Sequence, residues 1–231
     1  MTMTKNIEPF FLEYEKLVDQ ADQAFLSVQE KYRDEVKCAV KCADCCHALF
    51  DLSLIEAMYI KGHFERELDA ETKALFVDKA NQADRKIYQI KRNANRYLEA
   101  GKDEGEIMAE ISLERVRCPM LNDEDQCQIY DHRPITCRLY GIPTGIGGRG
   151  HTCGMSGFVE GKQYPSANLD IINNKLYEIS TKYAKSIESG YSKLGELIVP
   201  LSMAILTDYN DEYLGIGKKK EQDDKKDANQ A

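Results

Sequence analysis

No stretch of the chain is apolar for the roughly 18 residues that a membrane-spanning helix requires. The longest apolar run, residues 197–206, is interrupted by Pro200 and Ser202 and is too short. Residues 1–8 lack the basic start and apolar stretch of a secretory signal. Positive charge is also scarce: 31 lysines and arginines stand against 39 aspartates and glutamates, giving a net charge of −8. Nucleic-acid binding rests on basic surface that neutralises phosphate, so no nucleic-acid partner is expected. Together these absences point to the cytoplasm. At 231 residues the chain can bury a substantial core, so it does not need metal merely to hold a miniature fold together.

What the chain does have is eight cysteines. Cys38, Cys42, Cys45 and Cys46 fall within nine residues, and Cys118, Cys127, Cys137 and Cys153 follow. A reducing compartment keeps thiols from pairing, so clustered cytosolic cysteines commonly hold metal or do redox chemistry. The two-residue gap between Cys42 and Cys45 is that of a chelating corner, which lets both sulfurs turn to one ion. Three residues separate Cys38 from Cys42, so three thiolates can share a polynuclear cluster. Adjacent side chains tend to diverge, which assigns Cys46 to a second face or a second site. Zinc takes four ligands per ion, so eight thiolates divide into two zinc sites. A cubane iron–sulfur cluster takes four and leaves four for another cluster or for redox work.

Between and around the cysteines the periodicity is helical. Phe10, Tyr14, Leu17, Ala21, Phe25, Val28 and Tyr32 recur at three- and four-residue steps and predict a helix over 7–37. Ser53 and Glu56 form a capping box that opens a helix over 54–68. Asp69 caps a long helix over 70–100, with Leu75, Ala83, Ile87, Ile90 and Tyr97 on its apolar side and Gly101 as its stop. A short helix over 104–116 leads into Cys118. Residues 118–161 hold four cysteines, three prolines and a glycine run, and read as loop or short strand. Helices resume over 167–188 and 194–209. Residues 218–231 carry mixed charge with almost nothing apolar, which predicts a disordered tail. The expected fold class is mainly α: one helical metal-binding domain, 1–217, whose two cysteine-rich loop regions within 38–153 converge on a metal centre.

The second cysteine region carries Cys118-Pro119-Met-Leu, then Cys127-Gln-Ile-Tyr130, then Arg133-Pro134-Ile-Thr-Cys137-Arg138. Taken with the Cys45-Cys46 pair, these motifs resemble the YkgJ-type cysteine-cluster family, the CxxCxxCC domains that chelate zinc or iron. The resemblance spans residues 38–153. It departs from the family's name at the first gap, where three residues stand in place of two. The resemblance implies a metal-chelating domain, and a flagellin lysine N-methylase is similar in carrying the motif. Arg133 and Arg138 are candidate cofactor-binding residues, offsetting thiolate charge and donating hydrogen bonds to sulfur. His47, His132 and His151 lie near cysteines and are candidate ligands or supporting groups, while His63 reads as structural. The glycine run over 141–150 lacks the lysine of a P-loop and reads as a flexible loop that returns Cys153 to the site.

Three functions follow as expectations. One is a thiolate metal protein with an iron–sulfur cluster of the 4Fe-4S type in a redox or assisting role. Another is a zinc protein that binds a partner, and the third is a protein-lysine methyltransferase-like enzyme suggested by the shared motif. The spacing Cys38-x3-Cys42-x2-Cys45 also matches the cluster motif of radical S-adenosylmethionine enzymes. Those enzymes build alternating strands and helices, which this pattern does not show. The spacing nevertheless tilts the expectation toward iron–sulfur. The partner, whether a protein or a small molecule, is not legible.

Overall fold

A computed structural model describes residues 7–218. Among them seven α-helices carry most of the chain, and the five strands are only two or three residues long. The protein is mainly α. None of these helices is long and apolar enough to cross a membrane.

Helix α1 (Glu8–Lys31) buries Phe11, Tyr14, Leu17, Ala21 and Val28. It stops six residues short of the expected end, at Tyr32, whose N–H still bonds the Val28 carbonyl. Strand β1 (Asp51–Ser53) runs into α2 (Leu54–Glu67), which opens with the expected box: Ser53 Oγ accepts from Glu56 N–H, and Glu56 accepts from Ser53 N–H. Helix α3 (Ala70–Glu99) is capped by Asp69 and ends before Gly101, whose φ of 84° only glycine adopts cheaply. Its buried stripe is Phe76, Ala80, Ala83 and Ile87. Leu75 and Tyr97, expected on that stripe, are exposed: Leu75 lies one residue, or about 100°, off the face. Helix α4 (Glu104–Leu113) packs back on α3 and returns the chain toward its first cysteines.

A short helix α5 (Ile135–Leu139) carries Cys137 and docks on α1. Strands β2 (Thr144–Ile146) and β3 (Arg149–His151) form a hairpin, to which β4 (Ala167–Asn168) adds in parallel beside β2. The glycine run is therefore a hairpin: Gly147 and Gly148, at φ 56° and 74°, make its two-residue turn. Helix α6 (Leu169–Ser186) packs on α1 and α2. The helix expected over 194–209 is broken into a 3-10 turn, strand β5 (Ile198–Pro200) and α7 (Leu201–Leu206). Pro200 has no N–H to continue a helix, and β-branched Ile198 and Val199 pair with β1 instead.

Two main apolar clusters result. One joins α1, α2, α5 and α6 around Tyr14, Tyr183 and Leu139. The other joins α2, α3 and α7 around Phe64 and Phe76, with Met120 and Ile129 contributed by the second cysteine region. The expected disordered tail lies outside the described residues except for Lys218, whose ammonium sits 4.7 Å from the centre of the Tyr191 ring.

Candidate metal centre

The first cysteine region follows α1 as an irregular segment. Cys42 N–H bonds the Ala39 carbonyl at 2.9 Å, closing a turn over the three-residue gap, and Lys41 takes a left-handed φ of 69° to do so. Cys45 and Cys46 sit in a 3-10 turn (Asp44–His47). Two backbone bonds then stitch this region to the second: Cys118 N–H to Cys46 C=O at 2.7 Å, and Val116 N–H to His47 C=O at 3.1 Å.

The second region is built from its own turns. Asn122 Oδ1 accepts from the N–H groups of Glu124 and Gln126 at 3.0 and 2.8 Å, folding 121–127 into a tight loop with a bridge between Leu121 and Cys127. Arg117 clamps that loop through the Asp125 carboxylate and the Asn122 carbonyl. Pro134, at φ −57°, leads into α5. The first N–H of α5, on Ile135, is accepted at 3.2 Å by Glu56 Oε1 from α2. Cys153 lies beyond the β2–β3 hairpin. Its loop is held to the segment that follows α1 by Gly157 N–H on the Glu35 carbonyl and by the rings of Tyr32, Phe158 and Tyr164.

All eight cysteines line one cavity of about 1040 Å³. All are free thiols; Cys38 and Cys42 are exposed and the other six partly buried. Cys45 and Cys46, expected to diverge, have sulfurs 3.9 Å apart. Their contact favours ionising one thiol at a time: an S–H from Cys46 lowers Cys45, and the same bond, followed by burial, raises Cys46. Burial pushes the Cys118 thiol up to about 12 and Cys137 well above the usual thiol range. The neighbouring thiols of Cys45, Cys118 and Cys127 push Cys137 further in the same direction. A second grouping lies outward: Cys38 is raised by burial and then by Cys42 and Cys45, and Cys153 by burial, its bond to Asp44, and then Cys38. Thiols held protonated in this way must give up protons to ligate metal.

The two arginines named from the sequence point in different directions. Arg133 lies over the Tyr130 ring at 4.0 Å, and its charge opposes the upward shifts of Cys38, Cys127 and Cys137. Arg138 is buried and directs its donors into the protein: Nη1 to Asp22 at 2.6 Å, Nε to the Arg133 carbonyl at 2.9 Å, and Nη2 to the Asp131 carbonyl. Sequence reasoning missed Asp44 and Arg115. Arg115 bonds the Asp44 carboxylate and carbonyl and the Tyr140 hydroxyl, while Asp44 Oδ2 accepts from the Cys153 thiol at 3.2 Å. The only signal for them was opposite charge beside cysteines.

Among the described residues no histidine lines the cavity. His47 Nδ1 bonds the Ala43 carbonyl at 3.0 Å. His132 faces away, toward Glu67 and His63, and burial followed by the charge of His63 lowers its pKa. The glycine hairpin is no anion cradle, because the Gly147 N–H already donates to the Asp170 carboxylate at 2.9 Å.

No curated protein and no solved structure matches the chain. Residues 37–154, just over half of its length, match the CxxCxxCC family, described as a putative zinc- or iron-chelating domain. The matched segment runs from one residue before the first cysteine to one after the last. The chain belongs to the CxxCxxCC family of metal-chelating domains.

Proposed function

We propose that the chelated group is an iron–sulfur cluster of the cubane type and that the protein serves a redox or assisting role in the cytoplasm. The observation that carries this reading is the single cavity of about 1040 Å³ walled by eight free thiols. One tetrahedral ion uses four thiolates and fills far less space. The donor set fits the group, since thiolate sulfur is the usual ligand of iron–sulfur clusters. Cys45, Cys118, Cys127 and Cys137, mutually coupled in charge, would hold the cluster, with Cys46 beside them. Arg133 would offset the negative charge of the ligated thiolates. Cys38, Cys42 and Cys153 form the outer rim, where a second site or an incoming small molecule or protein would meet the centre. When bound, such a cluster supplies one-electron transfer.

One observation favours zinc as the second reading. Two thiolates on one tetrahedral ion at Zn–S distances of about 2.3 Å lie about 3.8 Å apart. Cys45 and Cys46 are at 3.9 Å. Protein purified without oxygen separates the two readings. Iron with acid-labile sulfide, both depleted in Cys45→Ala and Cys137→Ala but retained in Cys153→Ala, is the expected result. Stoichiometric zinc without sulfide would establish the zinc protein and remove the redox role.

A further inference from the structure

Outside the cysteine cavity, three chemically suited side chains meet on the surface of α2. His63 and Glu67 stand one turn apart near its end, and His132 comes from the 3-10 turn (Tyr130–His132) between Cys127 and Cys137. The ligand atoms of the three lie within 4.8 Å of one another. Glu67 Oε1 is 2.6 Å from His63 Nδ1 and 2.9 Å from His132 Nε2. The imidazole rings stack with centroids 3.4 Å apart and planes 19° from parallel, so both rings present a nitrogen to the same carboxylate oxygen. Tyr59 backs the pair, its ring 4.5 Å from His63 and edge-on to His132 at 6.0 Å.

We propose that His63, Glu67 and His132 form a second metal site, separate from the thiols, that takes a divalent ion of the zinc class. Two imidazoles and one carboxylate are a donor set that suits zinc and leaves a fourth position open. Glu67 is half exposed, so that position faces solvent. Metal–nitrogen and metal–oxygen bonds of about 2.0–2.2 Å put tetrahedral donors about 3.4 Å apart. The two contacts to Glu67 therefore open by under about 1 Å, and the rings splay out of their stack. His132 can make that movement because it sits in a three-residue turn rather than in a long helix. An ion here pins the loop between Cys127 and Cys137 to α2, and so bears on the thiol centre without touching a thiol.

The test uses the full chain purified without oxygen, titrated with Zn²⁺ against a chromophoric chelator and in parallel with Co²⁺. Wild type should take one equivalent beyond the thiol-bound metal. Co²⁺ in that equivalent should give ligand-field bands without a sulfur-to-metal charge-transfer band. His63→Gln/His132→Gln should lose the equivalent, and Glu67→Gln should bind it roughly tenfold or more weakly. Equal stoichiometry and affinity in wild type and the double variant would overturn the proposal, as would a thiolate charge-transfer band in the added equivalent. Should the double variant fail to fold, Glu67→Gln, altered at a half-exposed carboxylate, decides on the same readouts. The increment is a difference between wild type and variant, so it is read whether the thiols hold iron, zinc or nothing.

Discussion

The backbone N–H of Cys118 donates to the carbonyl of Cys46 at 2.7 Å. Seventy-one residues separate them in sequence, most of them in α2, α3 and α4. The α3–α4 turn at Gly101 reverses the chain, and α4 lays Val116 and Cys118 against His47 and Cys46. The two halves of the cysteine set thus share a backbone seam. Neither half walls the cavity alone.

Arg138 is the tie between α1 and the turn that precedes α5. It binds Asp22 on α1 and the carbonyls of Asp131 and Arg133. Arg138→Ala leaves two carbonyls and a partly exposed carboxylate without their donor, and should lower stability by roughly 2–3 kcal/mol. Arg138→Lys should recover only part of this, because an ammonium cannot reach three acceptors as a planar fork does. Metal retention should fall in the same order, since Cys137 sits one residue before the arginine. Chemical denaturation with metal analysis of both variants checks this. Unchanged stability and metal content in Arg138→Ala would show that the tie is dispensable.

Glu56 supplies a pH dependence whose sign is fixed by its position. Its carboxyl group is buried and accepts from Ser53 N–H, Ile135 N–H and the Tyr14 hydroxyl. Burial is the largest influence and raises its pKa above the ordinary glutamate value, against the opposing pull of those hydrogen bonds. The folded state therefore binds this proton more tightly than the unfolded state. Its contribution is fully present below the unfolded pKa and is lost as pH rises through the folded one. Wild type should gain stability relative to Glu56→Gln as pH falls from neutrality toward the ordinary glutamate pKa. Other carboxyls titrate in the same window but cancel in the difference between the two proteins. Paired denaturation curves across that range measure it, and a difference that is flat or opposite in slope would contradict the assignment.

Local signals in the sequence were legible and distant ones were not. The Ser53–Glu56 box, the Asp69 cap and the Gly101 stop are decided within four residues, and the structure has all three. The division of 194–209 depends on β1, some 150 residues earlier, pairing with Ile198 and Val199, and no local pattern announces that. The eight thiols were identifiable by residue type. What surrounds them was not: Glu56 reads as a cap alone, yet it also holds the first N–H of the helix that carries Cys137. Likewise His63 and His132 lie 69 residues apart, and only the packing of the second cysteine loop on α2 stacks their rings.

Gly141 shows how closely the rim of the cavity is fitted. It follows α5 and Tyr140 and is buried against the Cys38 side chain. A Cβ at position 141 would fall far inside the van der Waals contact distance to the Cys38 sulfur and lie 3.3 Å from the Phe25 ring. Its φ is not in the left-handed region, so space rather than backbone freedom calls for glycine here. Gly141→Ala must displace Cys38, and overpacking of this kind costs roughly 1–3 kcal/mol. The displaced segment is irregular and leads directly to Cys42, so part of the effect should appear as faster reaction of Cys38 with a disulfide reagent. Gly150→Ala is the matched control, because nothing lies within 4 Å of a Cβ there. Its stability should stay within about 0.5 kcal/mol of wild type. Denaturation and thiol-reaction rates for the two variants decide the matter. A Gly141→Ala protein as stable as Gly150→Ala, with Cys38 no more reactive, would mean that the sulfur moves aside at no cost and that the rim is not held by this contact.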